Sequence, residues 1–213
     1  MKKKIALLMA CVMAFGVAVG GTLAWLTDST EEVKNTFTDS DINIELTETF
    51  NKDSDDADTE PDYWEKKMVP GYTIEKDPIV TVKAGSEDCW VFIKVDASEN
   101  ANDYLEWKID PNNWEALDET QYPGVYYCYA KDLIADRSIK VLGYEDSKGE
   151  FHPNEVKVKD TVTKAMMETA KTDQPTLTFT AYATQLMKNN TEEFTAAQAW
   201  ANIQTELNPP ANP

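Results

Sequence analysis

The chain has 213 residues, 42% of them apolar and 10% aromatic, which suits one folded domain with its own core and excludes a disordered polymer. Its formal charge is −18, from 38 acidic against 20 basic side chains. That excess excludes nucleic acid and anionic membrane surfaces as partners unless a cation lies between.

The first element is a leader. Lys2, Lys3 and Lys4 precede an apolar run from Ile5 to Val19, then Gly20, Gly21, Thr22 and Ala24, the order of a secretory signal peptide. Thr22 and Ala24 supply the small residues a signal peptidase reads, so residues 1–24 are expected to be removed and Trp25 to open the mature chain. The competing expectation is a retained anchor: Ile5 to Leu26 holds no charge, and about 20 apolar residues can span a bilayer. Leu8-Met9-Ala10-Cys11 loosely resembles a lipoprotein box, but Cys11 falls mid-run and reads as apolar filler. Removal of the leader takes away three lysines and no acids, lowering the charge to −21 and leaving no membrane contact after cleavage.

Trp25, Leu26, Val33 and Phe37 follow as apolar residues in a polar stretch. They are expected either to anchor the segment on a partner surface or to fold back on their own chain, where Ser29 to Glu32 also fits a helix capping box. Ile42, Ile44 and Leu46 alternate with Asn43 and Glu45 and predict a half-buried strand. The charge density of the run Asn51 to Asp62 predicts a solvated loop. Its Asp53, Asp55, Asp56 and Asp58 are a weak calcium candidate, since the turn-making glycine of a calcium loop is missing.

Cys89 to Val95 predicts a central strand, with Cys89, Val91, Ile93 and Val95 on one face and Trp90 and Phe92 on the other. Shorter strands are expected at Val80–Val82, Val125–Ala130, Ile139–Leu142 and Val156–Val158, and a long one at Leu177–Met187. Turn residues at Pro70-Gly71, Gly85-Ser86, Pro111 to Asn113, Pro123-Gly124 and Lys148-Gly149 separate them. Two segments read as helices: Lys159–Lys171, with Asp160 as its cap, and a stripe of Ala196, Trp200, Ile203 and Leu207. Residues 209–213 form a proline-rich tail. The pattern predicts a mainly β sandwich or barrel over residues 25–208, with one or two peripheral helices.

Three blocks of the chain carry a resemblance: Gly20-Gly21-Thr22-Leu23-Ala24 with Asn35-Thr36-Phe37 and the strand after it; Val69-Pro70-Gly71-Tyr72 through Cys89 to Val95; and Thr180 to Gln185. In that order they resemble the TasA/camelysin family of exported Gram-positive proteins. The resemblance implies a jelly-roll-like β-sandwich, processing by a SipW-type signal peptidase, and a secreted protein of the cell surface or biofilm matrix. It also implies self-assembly, or assembly with homologous matrix proteins, into fibres in which the freed N-terminal segment of one subunit completes a sheet of the next.

Camelysin-like members of that family are described as metallopeptidases, but the residues argue against that activity here. A catalytic zinc takes three protein ligands, usually including histidines, and this chain has one histidine, His152, in an expected surface turn from Gly149 to Pro153. No catalytic residue and no cofactor is therefore expected beyond weak calcium. A peptidase remains the rival reading, and a monomeric adhesin using aromatic residues such as Trp64, Trp107 and Tyr129 is a third. Cys89 and Cys128 are the only cysteines after the leader, and an export context allows either a disulfide between them or two buried thiols.

Overall fold

In a computed structural model, which describes residues 42–48 and 68–208, the organising strand is β4 (Cys89–Ala97). It lies between β8 (Val125–Ala130) and β13 (Leu177–Gln185), and β7 (Glu115–Ala116) completes a four-stranded antiparallel sheet in the order β13-β4-β8-β7. The expectation of a central strand is met because both of its faces are apolar. Val91, Ile93 and Val95 enter the main core with Leu177, Phe179, Ala181 and Ala183. Phe92 points the other way, into a second cluster with Tyr182, Val125 and the C-terminal helix.

That helix, which becomes α3 (Ala196–Leu207) in chain order, buries Ala196, Ala199, Trp200 and Ile203. It starts where it does because Thr195 and Gln198 form a capping box, the Thr195 hydroxyl accepting from Gln198 N and the Gln198 amide oxygen accepting from Thr195 N. Trp200 packs between Phe92 at 5.3 Å and Tyr182 at 5.4 Å between ring centroids.

The rest of the main core is covered by three further antiparallel sheets. One joins β1 (Ile44–Glu48), β3 (Pro78–Val82) and β9 (Arg137–Lys140). As the alternation predicts, Ile42, Ile44 and Leu46 are buried while Asn43 and Glu45 are exposed. The second joins β6 (Lys108–Ile109), β10 (Leu142–Glu145) and β11 (Phe151–Pro153), and the third β2 (Thr73–Glu75), β5 (Leu105–Glu106) and β12 (Glu155–Val158). The fold is thus mainly β, of layered antiparallel sheets without a closed barrel.

Some boundaries differ from the sequence expectation. The expected strand at Ile139–Leu142 is two strands, β9 and β10, because the chain changes sheet at the fully buried Val141. The expected helix at Lys159–Lys171 shrinks to α2 (Lys164–Thr169), capped by Thr163 instead of Asp160: the Thr163 hydroxyl accepts from Met166 N, while Asp160 is exposed and pairs with Lys157 at 3.0 Å. A four-residue turn of helix, α1 (Ala101–Tyr104), lies between β4 and β5.

Candidate functional site

The feature with the most consequence outside the molecule is the side of β13 that faces away from β4. Along this strand the even residues bond to β4. The flanking hydrogen bonds Ser98 N to Thr176 O and Leu186 N to Asp88 O fix that phase, and the register pairs Thr178 with Asp96 through Thr184 with Trp90. The N–H and C=O groups of Leu177, Phe179, Ala181, Ala183 and Gln185 therefore point away from β4, and among the described residues no other strand pairs with them. β1 comes near β13 but forms its ladder with β3.

The chemistry of this edge is that of a docking strand. Its nine residues, LTFTAYATQ, include no charge and no proline, two devices by which edge strands discourage pairing, and no glycine to weaken the strand. Its side chains are already committed: Leu177, Phe179, Ala181 and Ala183 fill the main core, and Tyr182 lies under α3. What no described strand uses is a row of backbone donors and acceptors on buried residues, the groups through which a strand could be added. The sequence showed the strand but not its edge position, since lateral neighbours come only from topology. The missing charge over nine residues was the available signal.

The expected site residues are distributed as follows. Thr22, Ala24, Trp25, Leu26, Val33 and Phe37, the acidic group Asp53, Asp55, Asp56 and Asp58, and the tail at 209–213 all lie outside the described residues. Cys89 and Cys128 are free thiols on adjacent strands. Cys89 pairs with Ala130 and Cys128 with Val91, so the two cysteines share a face but are diagonal neighbours. A diagonal separation of about 7–8 Å is wider than a disulfide tolerates without backbone movement. Burial is the main cause that pushes both thiols up to about 12.

His152 is not in a turn. It occupies β11, opposite Tyr144 of β10, and its ring stacks on that tyrosine at 4.8 Å. The turn lies just before it and brings Asp146 and Glu150 beside it, the one group among the described residues whose side chains could hold a metal ion. The pattern Asp-x-x-x-Glu-x-His across a Gly149 turn was the sequence signal for this cluster. Of the aromatic candidates, Trp64 lies outside the described residues, Trp114 is buried, Trp90, Trp107, Tyr126 and Tyr127 are half-buried against the two cores, and Tyr129 is exposed. No described helix is long and apolar enough to cross a membrane. No family model, curated protein or solved structure matches this chain.

Proposed function

We propose that the chain is a secreted, acidic structural subunit of the cell surface or extracellular matrix, which assembles by adding a strand of a second subunit to β13. The observation that supports this reading is the nine-residue strand β13 without charge, proline or glycine, its odd-numbered backbone groups directed away from β4 and paired with no described strand. The donor in this reading is the segment around Trp25, Leu26, Val33 and Phe37, freed by cleavage after Ala24. Donation from each subunit to the next is head-to-tail, so it propagates instead of closing. The resemblance to the TasA/camelysin family agrees with it.

The decisive variant is Ala181→Pro. The Ala181 N–H points away from β4, so proline there removes an outward donor and leaves the ladder to β4 in place. A second variant, Thr180→Lys, sets a charge on the half-buried outer face of the edge. Secreted mature protein should form filaments under electron microscopy, and both variants should stay monomeric with unchanged circular dichroism. Filaments of wild-type length from both variants would exclude β13 as the acceptor.

A further inference from the structure

The β10–β11 hairpin carries two acids in opposition. Its register places Tyr144 across from His152, and continues to place Asp146 across from Glu150, where Asp146 N donates to Glu150 O at 2.9 Å. Side chains at 144, 146, 150 and 152 therefore share one face. Like charges directly opposite each other destabilise a hairpin. Among the described residues no lysine or arginine forms an ion pair with either acid, whereas neighbouring Glu145 is matched by Lys108 at 2.6 Å.

The local bonds aim these groups at one point. Asp146 Oδ1 accepts from Lys148 N and Glu150 N, both at 2.9 Å, which holds the turn and leaves Oδ2 directed at His152 Nε2. The Nε2 atom is shielded from solvent, yet it makes no hydrogen bond, and Oδ2 stands 3.7 Å away. That separation is too long for a hydrogen bond but close to the edge of about 3.4 Å between two ligands held at about 2.1 Å on a tetrahedral ion. Glu150 supplies a third oxygen, and the ligand atoms of all three lie within 4.8 Å of one another.

We propose that Asp146, Glu150 and His152 bind one divalent transition-metal ion of the zinc type, which neutralises the opposed carboxylates and ties the two strands together at the hairpin tip. The imidazole nitrogen favours such an ion over calcium, which prefers an all-oxygen shell. Exposed Glu150 places the site at the surface, with the remaining coordination position open to water.

His152 is the only histidine in the chain, so its ring resonances are assigned without ambiguity. The full mature chain, freed of metal by chelation, is titrated with zinc chloride by calorimetry and NMR. One ion per chain is expected, with His152 ring signals shifting in step, and with excess calcium failing to displace it. Asp146→Asn keeps the Oδ1 that holds the turn, and should weaken zinc at least about tenfold, as should His152→Ala. Ring signals that stay in place at several equivalents of zinc, or unchanged affinity in Asp146→Asn, would overturn the site. Neither result bears on assembly at β13.

Discussion

Lys76 is 2% exposed, and its ammonium lies 3.2 Å from Glu48 Oε1, 3.3 Å from Oε2 and 5.4 Å from the centre of the Phe179 ring. The pair links the end of β1 to the segment between β2 and β3 inside the main core. Removing one partner from a buried pair is costly, so Lys76→Met alone, which takes the ammonium away from the Glu48 carboxylate, is expected to cost about 3–5 kcal/mol. The double variant Glu48→Leu with Lys76→Met should regain most of that loss; chemical denaturation of the three proteins checks it, and equal losses in single and double variants would mean that the charge pairing is immaterial. The thiols give a second residue-scale prediction. Cys89 and Cys128 are raised from 9.0 to about 12, so between those values the unfolded chain sheds protons that the folded chain keeps. Stability should therefore fall as pH rises through that window, and Cys89→Ala should flatten the slope. In native protein at pH 8 both thiols should resist alkylation and react fully once the chain is unfolded.

At the level of elements, α3 is the clearest case of a helix held by packing and capping together. Trp200→Ala removes the side chain wedged between Phe92 and Tyr182, and should cost about 3–5 kcal/mol. Thr195→Ala removes one capping bond and should cost about 1 kcal/mol, with helix content nearly unchanged. Thermal melts separate the two, and similar small losses would show that the helix is a loose appendage. This helix was legible in the sequence because its apolar spacing and its cap both lie within a dozen residues. β4 was legible for the same reason, its two apolar faces being visible in Cys89 to Val95. Strands of two or three residues such as β5, β6 and β7 were not, since so short a run has no periodicity to read. The cap at Thr163 lost out to Asp160 because both are polar residues before an apolar run, and only the bond to Met166 N distinguishes them. Gly149 and Pro153 flank His152 and by themselves suggest a turn, whereas the register with Tyr144 places the residue in the ladder beyond the glycine.

For the whole molecule, the formal charge of −18 sets the conditions of association. Copies of so acidic a chain repel one another at low ionic strength, and at 0.15 M salt the screening length is about 8 Å. Filaments in the proposed reading should therefore be absent in dilute buffer and appear with added sodium chloride or calcium. Light scattering against ionic strength checks this, and assembly that is fastest without salt would place its driving force elsewhere. The phase of the β13 ladder has a kinetic counterpart. Amides at Thr178, Thr180, Tyr182 and Thr184 are bonded to the central strand β4, and should exchange with deuterium only through rare opening of the sheet. Amides at Phe179, Ala181 and Ala183 point the other way and bond to no described strand, so in single subunits β13 should exchange in an alternating pattern of slower and faster sites. When a neighbouring strand occupies that side the fast sites should slow and the alternation vanish, making every second amide of one strand a timer for the arrival of the next subunit.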